Sequence, residues 1–389
     1  MNDAINTDPP KVELGPLAKL NRDLRMAAME LGEAEVGYLV ATYYALQEVR
    51  KGMDLRTKAL TAQARPGLVM DHIAGLGQSL ENQIKTALDA FSSRQPAGIW
   101  ARSICGIGPV IAAGLLAYCP ARSTTFLPGL SMADIDDPAR MDAWIQSTKK
   151  LKANGHDDEA EDQPDDDTEA DGLTKALAAL PKLARGEKGS FAKAIAAYKA
   201  THNVSFAPAD GGVDLIRTRE TAGTIWSFAG LEGGDNKRKW ERGEKRPWHA
   251  GLKTLAWKIG ESFVKVSGND ADVYGKVYVA RKALETERNA RGDYAAIAKS
   301  KLETTNVGKT TDLHRHLSAG RLAPAHIHAR AKRVAVKLFL SHWHEASYVA
   351  TFHRLPPAPF AIARLGHAHF IPAPNMHLIA GWEELRAKM

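Results

Sequence analysis

Cysteine is nearly absent: Cys105 and Cys119, both at apolar positions, are the only two among 389 residues. Two thiols can neither staple a disulfide framework nor build a cysteine zinc site, so a reducing compartment is expected. No apolar run reaches the roughly 18 residues that a membrane-spanning helix needs. The polar start, with Asp3, Asp8, Pro9 and Pro10, contains no signal-peptide core. The cytoplasm is therefore the expected location, and no membrane partner is expected. Alternation of apolar and polar residues, the mark of half-buried strands, is scarce, which points to a mainly α fold. Bases are missing from one stretch, where ten acids lie between Asp157 and Asp171 with no Lys or Arg. This stretch also lacks the apolar residues of a core. It reads as an acidic disordered insertion from about Thr148 to Leu173, whose role is solvation or competition for a basic surface.

Setting that block aside changes the charge balance. The whole chain carries +7, and without the ten acids the remainder carries +17. A strongly basic body implies a polyanionic partner, nucleic acid foremost.

The most telling stretch is Ile104-Cys105-Gly106-Ile107-Gly108-Pro109-Val110, followed by the small-residue run Ile111 to Ala117. Two glycines around one apolar residue permit a turn too tight for a Cβ, and Pro109 suits the first position of the next helix. Ala112, Ala113 and Gly114 allow that helix to pack closely on the preceding one. The pattern is that of a helix–hairpin–helix. Such a hairpin presents backbone N–H groups to a phosphate and positions DNA without reading its sequence. Gly106, Ile107 and Gly108 are thus candidate DNA-binding residues; a plain tight turn between helices is the alternative.

Upstream, Leu17, Leu20, Leu24, Ala27, Leu31, Ala34, Tyr38, Ala41 and Ala45 recur at spacings of three and four. This heptad seam predicts one long helix that pairs either with a second chain, giving a homo-oligomer, or within the chain. A second helix is expected from Leu68 to Phe91, broken by Ser92-Ser93 and Pro96. Downstream, a helix over Trp248–Val266 has Leu252, Leu255, Ile259 and Phe263 on one apolar face.

Three further features carry chemistry. From Lys237 to Lys258 stand eight bases, including Lys237, Arg238, Lys239, Arg242, Lys245 and Arg246, interleaved with Trp240, Trp248 and Trp257. Lysine and arginine neutralise phosphates, while an aromatic face stacks on an unpaired base, so these bases and Trp248 are candidate contacts. In the helix after Pro324, His326, Arg330, Arg333 and Lys337 form one basic stripe beside an apolar stripe of Ile327, Ala331, Val334 and Leu338. The basic stripe is suited to track a phosphate backbone, so His326, Arg330 and Arg333 are candidate DNA contacts. Ten of the fourteen histidines lie between His314 and His377, with four His-x-His pairs: 314/316, 326/328, 342/344 and 367/369. On a helix such pairs point apart, so phosphate contacts or core packing are expected and no metal site is assigned.

Together these pieces resemble a known family. Residues 105–116 are similar to the "PGIGPVTAAxLLA" motif of insertion-sequence transposases with an N-terminal RuvC-like DEDD domain and a C-terminal helix–hairpin–helix domain carrying a serine. Ile225-Trp226-Ser227-Phe228-Ala229-Gly230-Leu231 resembles their "LxxYAGL" motif, and 237–265 resembles their "KRGNRxLRxxL" region in character. Gly275–Lys282 and His326–Arg333 continue the same order. The resemblance implies DNA binding and an origin in DNA transposition or recombination on a mobile element. Two features depart from it. The residues before the hairpin read as helical and leave the DEDD domain unmatched, and no serine stands between Leu231 and Ser262, where the family's nucleophile would follow. No catalytic residue and no cofactor are therefore assigned.

The expected organisation is a helical, coiled-coil-like region at 1–95 and a split helix–hairpin–helix domain at 96–130 and 217–355. An insertion with the acidic linker fills 131–216, and an irregular tail spans 356–389. The function expected is DNA-backbone binding, including structured or branched DNA, with RNA also compatible. The alternatives are an active transposase using Mg²⁺ with acids such as Asp134, Asp136 and Asp137, or an oligomeric assembly protein.

Overall fold

Residues 19–61, 68–135, 137, 139–140, 143, 204–231, 246–357 and 371–387 are described by the structure, a computed structural model. The fold is mainly helical. Its N-terminal part is α1 (Arg22–Ala28), α2 (Glu33–Thr61), α3 (Leu68–Arg94), α4 (Pro96–Arg102) and α5 (Pro109–Tyr118).

The single long helix expected from Leu17 is two helices. Gly32 donates its amide to the Glu35 carboxylate at 2.7 Å, an N-terminal capping contact that starts α2 afresh. The heptad seam is not what packs. Leu24 is 53% exposed and Tyr38 71%, while Val36 and Val40 are buried against Ile84, Leu88 and Phe91 of α3. Within the chain, α2 and α3 pair as a helical hairpin. α3 also runs past Ser92 and Ser93 to Arg94, and their hydroxyls find acceptors within the helix at the carbonyls of Leu88 (2.8 Å) and Asp89 (2.7 Å). Pro96 then opens α4.

α5 lies between this hairpin and the rest of the body, and its small residues make that possible. A Cβ on Gly114 would lie 3.0 Å from Leu255 and 3.4 Å from Val40, so the close approach is to the helices on either side rather than chiefly to α4. Tyr118 closes the junction by donating to the Gly37 carbonyl at 2.9 Å.

The chain then forms a sheet that the sparse alternation did not announce: β1 (Arg122–Pro128), β2 (Val204–Ala209) and β3 (Gly212–Thr218), antiparallel in the order β1-β3-β2. α6 (Met132–Ile135) follows β1. The expected boundary at 216/217 falls inside β3. Asp210-Gly211, with Gly211 at φ +72°, forms the two-residue turn between β2 and β3. The acidic block at 157–171 lies outside the described residues.

α7 (Ala222–Phe228), α8 (Ala250–Val266), α9 (Tyr274–Arg291), α10 (Ala295–Thr304), α11 (Asp312–Ser318) and α12 (Pro324–Phe352) complete the body. α12 is its axis. It is apolar on one side at first, then buried nearly all round from His342 to Val349. The buried side runs through Ile327, Ala331, Ala335 and Phe339, whereas Val334 and Leu338 of the expected stripe are only half-buried. Trp343 donates to the Cys119 carbonyl at 2.9 Å and so ties α12 to the end of α5. Trp100 of α4 stacks on Phe339 and donates to the Pro374 carbonyl at 2.7 Å. The tail is therefore not wholly irregular. It returns to the core through Met376 and Ile379, with a 3₁₀ turn (Met376–Leu378) and α13 (Trp382–Arg386).

Candidate nucleic-acid interface

The hairpin forms as its glycines require. Gly106 has φ +89°, a left-handed conformation, and Gly108 is the extended N-cap of α5 with Pro109 in the first helical position. The two glycines differ in surroundings. A Cβ on Gly106 would lie 3.0 Å from the Ser262 Oγ and 3.1 Å from Val266 of α8, whereas one on Gly108 would meet open space. Ser262 donates its hydroxyl to the Gly106 carbonyl at 2.5 Å. The serine that follows the AGL motif at a distance thus staples the hairpin to α8. Ile107 is buried in the core beneath. At the open end, Gly108, Val110 and Ile111 have no preceding turn to accept their amides, the usual orphan donors of a helix start.

Gly106→Val is expected to lower stability by about 1–3 kcal/mol, since a β-branched residue is strained at positive φ and would press on Ser262. Gly108→Val, which meets open space but puts a poor N-cap residue in place of a favoured one, is expected to cost less in urea denaturation, about 0.5–1 kcal/mol. Equal losses for both would show that the hairpin is packed differently.

α8 carries the second part of the surface. Its buried face is Leu252, Leu255, Ala256, Ile259 and Phe263, as its periodicity predicts. The helix begins at Ala250, because His249 serves as N-cap and accepts the Leu252 amide on Nδ1 at 2.9 Å. Lys253, Trp257 and Lys265 lie on the solvent side. Trp257 is 57% exposed, with the Lys258 Nζ 5.5 Å and the Lys332 Nζ 5.9 Å from its ring centroid. Lys258 also sits 4.8 Å from the Tyr44 ring and 3.5 Å from Glu48; Lys332 pairs with Glu261. Lys258, Ser262 and Val266 are spaced four apart, so they share one stripe, and the hairpin seats on that stripe one turn beyond Lys258.

Of the basic loop, Lys237, Arg238, Lys239, Arg242 and Lys245 lie outside the described residues. Arg246 is exposed, and Trp248 packs at the start of α8 with the Lys253 ammonium 3.5 Å from its ring centroid. Arg246 and Trp248 therefore stand at one end of α8 and the hairpin seats near the other, about 20 Å away along the helix at 1.5 Å per residue.

The stripe expected on α12 is not an open row of charges. Arg330 turns inward to Glu285, with its Nε 2.7 Å from the carboxylate. Lys337 lies over the Trp226 ring at 4.1 Å, while its carbonyl accepts the Trp226 indole N–H at 2.9 Å. His326 is half-buried; burial, then the nearby Lys301, Arg330 and Arg333, pushes its pKa below the usual histidine value and favours the neutral ring. Arg333 is exposed.

Several of the clustered histidines have individual partners. His342 bridges Tyr274 and the Ile371 carbonyl, His344 bonds to the Arg219 carbonyl, and His328 meets the Tyr278 hydroxyl at 2.7 Å. His367 and His369 fall outside the described residues. Asp134 accepts from Ser131 and pairs with Arg140, and Asp136 is not described. Among the described residues no three His, Cys, Asp or Glu side chains are placed to hold a metal ion, and no helix is long and apolar enough to cross a membrane. Compared with family models, curated proteins and solved structures, the chain matches none.

Proposed function

We propose that this protein binds nucleic-acid backbone, DNA foremost, along α8 and the hairpin seated on it. One observation carries the reading: the Ser262–Gly106 hydrogen bond sets the start of α5 beside the helix that bears Trp257, Lys258 and Lys265. At that start Gly108 faces open space, and the first amides have no preceding turn to accept them. Backbone donors and lysines hold phosphates without regard to sequence, and an exposed indole stacks on an unpaired base. Arg246 adds an exposed charge near the other end of α8, and the basic run that precedes it in sequence, Lys237 to Lys245, suits the same polyanion. The order of the hairpin, AGL and basic-loop motifs supports a transposase-like protein of a mobile element. No reaction is assigned to it.

The test is the salt dependence of binding. Lys258→Ala with Lys265→Ala is expected to make the slope of log affinity against log salt shallower by about 0.9 for each duplex phosphate that is no longer neutralised. Gly108→Val is expected to weaken binding equally across unrelated sequences. A folded protein whose slope and affinity are unmoved by all three substitutions would overturn the reading.

A further inference from the structure

Beyond the Arg50–Glu81 ion pair (2.7 Å), α2 and α3 continue as an arm to Thr61 and from Leu68, and none of the described side chains there is fully buried. The apolar residues of α3 do not stop with the cover. Ile84, Leu88 and Phe91 are buried with Val36, Val40 and Val110. The same stripe runs on toward the N-terminus as Leu80, Leu76, Ile73 and Val69, at steps of four, three and four. These four are exposed, Val69 by 69% and Ile73 by 45%. Gly77 falls on this face too, and a Cβ added there would meet nothing within 4 Å. A helix interior glycine costs about 1 kcal/mol against alanine, and no described residue uses the space it leaves.

We propose that this stripe pairs with the same stripe of a second copy, so that two arms form a four-helix bundle and the protein is a homodimer. Three observations choose this occupant. The stripe is continuous with a face already covered by helices, so its cover is helical. Between Leu68 and Leu80, α3 carries only Asp71 and His72 as charged or titratable side chains, while the adjoining stretch of α2 carries Lys51, Asp54, Arg56 and Lys58. The α3 stripe itself is thus close to neutral and suits its own copy rather than the polyanion bound elsewhere. The exposed segment of α3 is about 20 Å long at 1.5 Å per residue. Two crossed faces, each two helices wide, bury on the order of 1,000 Å² in all, the lower bound of a specific interface. The dimer is therefore concentration-dependent.

Sedimentation of the full chain, freed of nucleic acid by high salt, tests this over a wide concentration range. The mass is expected to rise from 42.2 kDa toward twice that value. Ile73→Lys with Leu80→Lys is expected to hold it at the lower mass with an unchanged circular dichroism melt, because both side chains are exposed in the monomer. Leu76→Gln, a milder change, is expected to weaken association. Val279→Lys, at an exposed apolar position on α9, is the control and leaves the dimer intact. A monomer at every concentration, or a dimer insensitive to both arm variants, overturns the proposal. Neither result bears on nucleic-acid binding.

Discussion

Glu285→Ala is expected to destabilise the protein by about 1.5–3 kcal/mol, the cost of losing charged hydrogen bonds and leaving the partly exposed Arg281 and Arg330 guanidinium groups without their partner. The Glu285 carboxylate is fully buried on α9 and takes three donors. Arg330 of α12 reaches Oε2 at 2.7 Å, the Tyr294 hydroxyl reaches the same oxygen at 2.5 Å, and the Arg281 Nε reaches Oε1 at 2.8 Å. Burial alone would push the carboxyl up. The hydrogen bonds from Arg330, Tyr294 and Arg281 outweigh it and hold the pKa down at about 2. One acid thus fastens α9, the start of α10 and α12 together, beside the small core of Tyr294, Ala298, Leu317, Leu322 and Ile327. Urea denaturation of Glu285→Ala, Arg330→Ala and the double variant measures the coupling, and the double variant is expected to lose less than the two singles combined. The same series separates two roles for Arg330. If it contacted phosphate, as its place in a basic stripe suggests, Arg330→Ala would weaken DNA binding and spare stability. The packing predicts the reverse.

Arg330 also shows what the sequence could and could not tell. Spacings of four and seven correctly put His326, Arg330 and Arg333 on one side of a helix. They say nothing of what α9 brings to that side, and a buried glutamate forty-five residues upstream decides it. The hairpin was legible because its requirement is local: a left-handed glycine and a proline at a helix start are written in six residues. α8 was legible for the same kind of reason, since its buried face repeats every turn. The N-terminal seam misled because two apolar faces compete on α2. Alanines and Tyr38 make the regular repeat, but the branched Val36 and Val40 fit between α3 and α5. The sheet was missed although Asp210-Gly211 between two short apolar runs is a hairpin signal; its third strand, β1, is separated from β2 by more than seventy residues. The stapling role of Ser262 has no sequence signal at all, because its partner is a backbone carbonyl 156 positions away.

Acid is expected to destabilise the protein through His342 and His344. Both are buried in α12. The His342 Nε2–H donates to the Ile371 carbonyl at 2.8 Å and its Nδ1 accepts the Tyr274 hydroxyl at 2.7 Å, partners that fit the neutral ring in one tautomer. The His344 Nε2–H donates to the Arg219 carbonyl at 2.7 Å. Burial pushes both rings below the ordinary histidine pKa of 6.5, His342 to about 4 against a smaller opposing pull from the Ile371 carbonyl. Between pH 6.5 and 4 the unfolded chain therefore binds protons that the folded chain refuses, and stability falls as pH falls. For His342 the full window amounts to roughly 3 kcal/mol at 1.36 kcal/mol per pKa unit, and His344 adds in the same direction. Glu345, whose pKa burial raises, opposes this only near and above its ordinary value of 4.5, and the Glu285 carboxylate contributes its own loss lower still, between 4.5 and about 2. Urea midpoints at pH 7.5 and 5.0 are expected to differ strongly in the wild type. The difference should shrink in His342→Gln, whatever that substitution costs at pH 7.5. Because His342 holds Ile371, hydrogen exchange at pH 5 is expected to quicken first in the returning tail at 371–387. An equal pH dependence in wild type and in the His342→Gln, His344→Gln double variant would place the acid sensitivity elsewhere.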